Sequence, residues 1–157
     1  MHAHRSLMAL TGLVFIALPA LAAQQFASFG KGELTIQTAA GPQKFAIELA
    51  TDDVQREQGL MYRTRMAADA GMLFIYPHEQ PVAMWMKNTN LPLDMLFVRA
   101  DGTIARIREN AVPYSRENIP SGEPVQFVIE LNAGRAQALG IKEGGHIRAP
   151  EIQQKRH

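Results

Sequence analysis

Met84-Trp85-Met86-Lys87-Asn88-Thr89-Asn90-Leu91-Pro92-Leu93-Asp94-Met95-Leu96-Phe97 places the only Trp of the chain beside a Lys, two Asn and an Asp, between two apolar flanks. The flanks Met84 to Met86 and Met95 to Val98 have the length and bulk of buried strands. The polar connection from Lys87 to Asp94 must therefore emerge beside a core, and a loop held that firmly is a candidate site. In a strand, Met84 and Met86 share one face while Trp85 and Lys87 share the other.

Working outward, the same strand signals recur on both sides. Toward the N-terminus, Glu33 to Thr38 and Lys44 to Leu49 flank Ala39-Ala40-Gly41-Pro42, and Phe45, Ile47 and Leu49 alternate with Lys44, Ala46 and Glu48. This pattern predicts a hairpin with one inward face. Thr51-Asp52-Asp53 supplies an N-cap and an acidic first turn, and Gly59 a stop, for a short helix from about Asp52 to Gln58. Gly71 to Tyr76 reads as a buried strand that Pro77 ends.

Toward the C-terminus, Ala100-Asp101-Gly102-Thr103 is an Asp-Gly turn between Met95 to Arg99 and Ile104 to Arg108. Asn110 to Gly122, with Pro113 and Pro120, reads as a long surface loop. From Pro124 to Leu131, alternation of Val125, Phe127, Ile129 and Leu131 predicts a half-buried strand. Asn132 can cap a second short helix through Ala133 to Leu139, stopped by Gly140, and a last strand is expected around His146 to Ile152. The expected architecture is mainly β: an antiparallel β-sandwich or squat barrel with two short helices.

Length and composition agree with one core: 157 residues, 46% hydrophobic and 20% charged. The first 22 residues differ from the rest. Arg5 precedes the apolar run Leu7 to Leu18, and Pro19-Ala20-Leu21-Ala22 ends in small residues, the pattern of a signal peptide cleaved after Ala22. No Cys follows to take a lipid, so no stable membrane anchor is expected after cleavage, and the mature chain is expected in the periplasm or secreted. Residues 23–32 then form a flexible leader, 33–153 a single β-rich domain and 154–157 a frayed tail. Removing Arg5 from 16 Lys+Arg leaves 15 against 15 Asp+Glu, a formal net charge of zero that gives nucleic acid no electrostatic hold.

The blocks Gly59-Leu60-Met61-Tyr62-Arg63, Gly71-Met72-Leu73-Phe74, Trp85-Met86-Lys87-Asn88, Leu91 to Phe97 and Glu130-Leu131-Asn132-Ala133-Gly134 together resemble the DUF192 family of small and exported proteins of unknown function. The resemblance runs from about Phe45 to Ile147. It implies a β-rich, sandwich-like fold and brings no activity with it. Family members often carry an acidic residue after the Gly near the end, where this chain has Gly144-Gly145-His146.

Trp85, Lys87, Asn88 and Asp94, joined by Arg63 and Glu130, make a candidate pocket with one aromatic wall and several hydrogen-bonding groups, suited to a sugar or a small anion. The partner would be an unidentified small molecule or an envelope protein. The structural alternative is a Lys87–Asp94 ion pair that pins the loop, with Asn88 and Asn90 as turn residues. Two readings from other classes remain open: a periplasmic hydrolase using Asp94 and Glu130, and Cu(I) binding through Met84, Met86 and His78. Against the second, Met is a common core filler. With no Cys, no closely spaced His in the mature chain, no nucleophile elbow and no phosphate-binding Gly motif, no cofactor or catalytic residue is assigned, and a non-catalytic binding module is the leading reading.

Overall fold

The computed structural model describes residues 26–153. The expected signal peptide over residues 1–22 and the tail over 154–157 lie outside the described residues. Seven strands form one curled sheet: β1 (Gly30–Thr38), β2 (Gly41–Ala50), β3 (Ala70–Met84), β4 (Leu93–Val98), β5 (Ile104–Ala111), β6 (Ile119–Asn132) and β7 (Ile147–Arg148). Their order is β5-β4-β6-β3-β2-β1-β7, antiparallel throughout except for the parallel pair β2 and β3. A bridge between Thr103 and His146 brings together residues beside the two edge strands, β5 and β7.

The parallel pair needs a crossover, and α1 (Asp53–Gln58) lies on it. The helix starts where Thr51-Asp52-Asp53 places it. Asp52 accepts from the Gln55 amide at 2.8 Å, and the Gln55 side chain accepts in return from the Asp52 amide at 3.3 Å, a complete capping box. The Asp-Gly turn also forms, with Asp101 accepting from the Thr103 amide at 2.8 Å and Gly102 at φ +89°. A side chain at Gly102 would meet the Ile147 carbonyl at 2.5 Å, so β7 packs directly on that turn.

The sheet is buried on both faces at its centre. Leu73, Leu96, Phe127, Ile129 and Leu131 enter one apolar cluster with Leu34, Ile36, Phe45 and Ile47. Met72, Phe74, Met95, Phe97 and Val128 enter a second with Leu60, Met84, Met86 and Leu91. This is why Leu93–Val98 is continuously buried and, apart from Asp94, apolar. It also corrects the half-buried reading of Pro124 to Leu131, because every residue from Val125 to Leu131 is buried.

Five further boundaries differ from the sequence expectation. β3 continues past Pro77 to Met84, with register shifts against β6. The buried Gln126 side chain donates to the Tyr76 carbonyl at 3.0 Å, and Ser121 accepts from the Val82 amide at 3.1 Å, so β6 side chains satisfy the backbone that the irregularity displaces. The surface loop is short because β5 reaches Ala111 and β6 starts at Ile119. The last strand keeps two residues before α3 (Pro150–Gln153), a third helix, while α2 (Arg135–Leu139) has Gly134 rather than Asn132 at its N-cap. At the other end β1 begins at Gly30, and Ala27 and Ser28 of the leader hydrogen-bond to Gln58 and Gln55 of α1.

Candidate functional site

The pleat of β6 decides which side chains meet. Glu130 lies opposite Met72 of β3 and Met95 of β4, on the face of the second cluster. Only 3% of it is exposed, yet it lines a cavity of about 310 Å³. Phe74 and Tyr76 follow Met72 on the same face of β3 and line the cavity too, joined by Met84 and Trp85 from the end of that strand. Asp53, Arg56 and Glu57 of α1 form one side, and Met61 completes it after Gly59. A Cβ at Gly59, whose φ is +48°, would lie 3.0 Å from the Phe74 ring, so glycine lets this turn close over the aromatic floor.

No hydrogen bond or ion pair among the described residues reaches the Glu130 carboxyl. Burial pushes its pKa up from 4.5 to about 8, and no neighbouring cation pulls it back. It is therefore mainly protonated at pH 7 and able to donate a hydrogen bond. Tyr76 is also raised, first by burial; Arg56 opposes the shift and Glu130 adds to it. The Arg56 guanidinium lies 5.3 Å from the Tyr76 ring centroid, but its N–H groups are committed to the Thr51 and Ile75 carbonyls at 2.8 and 2.6 Å and to Asp53 at 2.6 Å. It braces α1 on β3 rather than neutralising Glu130.

The six residues expected to share a pocket are divided among different places. Trp85 and Glu130 line the cavity together. Lys87 and Asn88 line an adjoining depression of about 260 Å³ that shares Glu57, Gln58 and Met61 with it. The Lys87 ammonium sits 4.8 Å from the Trp85 ring centroid, so the cation and the aromatic wall do meet. Arg63 belongs elsewhere. It pairs with Glu48 at 2.6 Å, packs over Phe29 and lines a third depression with Lys31 and Arg65.

Asp94 is fully buried on the opposite face of the sheet from Glu130, since it pairs with Leu131 in the ladder. Its two oxygens accept from the Asn110 amide at 2.9 Å and the Ala136 amide at 2.8 Å, tying the end of β5 and the start of α2 to β4. The Lys87–Asp94 ion pair does not form. Nor can Asp94 and Glu130 act as paired carboxylates on one bond, because the sheet separates them. Of the Cu(I) candidates, Met84 lines the cavity, Met86 is fully buried in the second cluster and His78 is exposed on the irregular part of β3. Among the described residues no group of three or more His, Asp or Glu is placed to hold a metal ion.

The rim of the site is held by three knotted loops. The Tyr62 amide donates to the Asn88 carbonyl at 2.9 Å, and the Asn88 side-chain amide donates to the Tyr62 hydroxyl at 2.9 Å. Tyr114 donates to the Thr89 carbonyl and Met86 to the Ser115 carbonyl. Tyr62, Asn88 and Tyr114 all have positive φ, between 54° and 65°, which is strained for tyrosine and is sustained here by these bonds. Tyr62, Trp85 and Tyr114 remain exposed beside one another's loops.

Sequence reading missed Tyr76, Arg56 and Met61. The signal for Tyr76 was present in the alternation Met72, Phe74, Tyr76; Arg56 carries no local signal, because its partners are backbone carbonyls set by the crossover.

The family model for DUF192, described as an uncharacterized group, matches residues 34–149. A solved structure from Sinorhizobium meliloti 1021, named as a proposed transcription regulator, is 52% identical with a TM-score of 0.77, over 80% of this chain and 98% of that one. A protein of unknown function from Novosphingobium aromaticivorans DSM 12444 is 34% identical with a TM-score of 0.73, over 85% of this chain and 94% of that one. No curated protein matches.

Proposed function

Since the chain belongs to the DUF192 family, which brings no activity with it, we propose from the site itself that this is an exported binding module. It takes a small organic molecule into the cavity between Glu130 and Trp85 and performs no covalent chemistry on it. The observation that carries this reading is the carboxyl of Glu130, a residue only 3% exposed, without a partner among the described residues and lining a cavity with aromatic walls. An unpaired buried carboxyl is costly to a fold, and a cavity that keeps one has a use for its hydrogen-bonding capacity. A cavity of about 310 Å³ is at the lower end of ordinary ligand sites.

In this reading the curled sheet is a squat barrel and the scaffold of the site, with the Thr103–His146 bridge drawing its edges together. Residues 1–22 direct export, and the mature domain works in the periplasm or beyond. Nucleic-acid binding, suggested by the name of the Sinorhizobium relative, draws no support from a mature chain of zero formal net charge.

The test is a ligand panel on the mature protein, read by Trp85 fluorescence and thermal shift, with Glu130→Gln as the control. Ligands that perturb Trp85 in the wild type and bind differently to the variant are expected. A broad panel that moves neither signal overturns the reading.

A further inference from the structure

The cavity described above also says what charge its ligand carries. We propose that the Glu130 cavity is a receptor for an organic cation, an amine whose ammonium group pairs with the Glu130 carboxylate while its apolar body lies against Trp85, Tyr76 and Phe74. This rests on the binding role proposed above and narrows it to one ligand class.

Three features of the cavity support a cation over a neutral molecule or an anion. First, Glu130 lacks a counter-charge. The groups around it are Met72 and Met95 on the flanking strands, Tyr76 and Phe74 along β3, and Asp53, Arg56 and Glu57 on α1. The one cation among them, Arg56, is fixed to two carbonyls and to Asp53. Asp94 faces away through the sheet, and Lys87 sits over Trp85 in the adjoining depression. An ammonium ligand supplies the missing charge, and a charge-assisted bond in a site shielded from water is stronger than the single neutral bond a sugar hydroxyl would make.

Second, the cavity's own lining holds two carboxylates on α1 against one cation. Asp53 is paired with Arg56, whereas Glu57 makes no ion pair among the described residues, and Lys87 belongs to the adjoining depression, so the lining presents a carboxylate to an approaching cation. Third, the lining is apolar and thioether-rich, with Met61 and Met84 beside the Trp85 and Tyr76 rings, surfaces against which the alkyl or aryl body of an amine packs. The Tyr76 hydroxyl is turned to the Met84 sulfur at 3.7 Å, which leaves Glu130 as the principal hydrogen-bonding group.

Binding of a cation must then release a proton, because Glu130 enters the complex ionised but is mainly protonated in the free protein. The experiment is calorimetric titration of the mature protein at pH 7 with benzylamine, phenylpropylamine and tetramethylammonium, against benzyl alcohol and benzoate, in buffers of differing ionisation enthalpy. At least one of the three cations is expected to bind, with release of about 0.9 proton per site. Glu130→Gln, which keeps the shape and removes the charge, is expected to weaken that cation about tenfold or more and to abolish the proton release, while benzyl alcohol changes little.

If benzyl alcohol binds as tightly as the amines, or if an amine binds with no proton release and equal affinity for Glu130→Gln, the cation proposal is overturned while the binding role stands. If benzoate binds best, it is likewise overturned. If none of the five binds, the cation proposal falls, and the broader panel decides whether the binding role falls with it.

Discussion

Replacing Glu130 with Gln isolates the energetic consequence of the buried carboxyl. Below about pH 4 the wild-type carboxyl is protonated in both folded and unfolded chains, and Gln is a close isostere of that form. As pH rises, the unfolded chain loses its proton near the ordinary value of 4.5, while the folded protein holds it until about 8. The unfolded state then binds fewer protons, so wild-type stability falls with pH over that window and levels off above it. From those two values, the wild type is disadvantaged relative to Glu130→Gln by about 1 kcal/mol at pH 5, about 3 at pH 7 and nearly 5 at pH 9. Every other titrating group is common to both proteins and cancels in the difference. The assay is urea unfolding of both at the three pH values, with m-values confirming that the same surface is exposed. A stability difference that stays constant from pH 5 to pH 9 refutes the picture of an unpaired, desolvated Glu130.

Three other substitutions test the remaining assignments. Asp94→Ala leaves the Asn110 and Ala136 amides without their acceptor and is expected to destabilise by about 3 kcal/mol in urea unfolding, without altering the ligand response of Trp85 except through stability. Lys87→Met removes a half-buried cation whose ammonium lies over the Trp85 ring; a loss under about 1 kcal/mol with a shifted Trp85 emission is expected, and a larger loss would mean a paired network at Lys87. Gly71→Ala places a Cβ 2.6 Å from the Glu130 carbonyl and 2.8 Å from a Leu131 methyl, and a loss of about 2 kcal/mol or more in the same assay is expected.

The strands were legible wherever burial is decided locally. Continuous apolar runs such as Met95 to Val98 and the Asp101-Gly102 turn state their structure within a few residues, and the Asp52 cap does the same for α1. What escaped was decided at a distance. Pro77 reads as a strand end, and β3 passes it because Gln126 and Ser121, about 40 to 50 residues later, respectively donate to and accept from the displaced backbone. Val125 to Leu131 reads as one-sided because its polar residues, Gln126 and Glu130, look like a solvent face. Gln126 is in fact consumed by the irregularity in β3, and Glu130 lines the cavity.

The same distinction divides the site. Trp85 and Glu130 were named from sequence and do share a cavity. Asp94 stands out in sequence for the same reason, an acid in an apolar run, but a one-residue offset in the ladder turns it to the opposite face. Its role is to hold β5 and α2. Arg63 lies one residue after Tyr62, which touches Asn88, yet its side chain turns to Glu48.

The most direct measurement is the pH titration of the Glu130 carboxyl carbon by NMR, with and without a saturating amine such as benzylamine. An unpartnered carboxyl that serves as the cation receptor is expected to titrate near 8 in the free protein and to move downward when the amine is bound. A midpoint in the ordinary carboxylate range, unchanged by the amine, would contradict both the isolation of Glu130 and its place at the centre of the site.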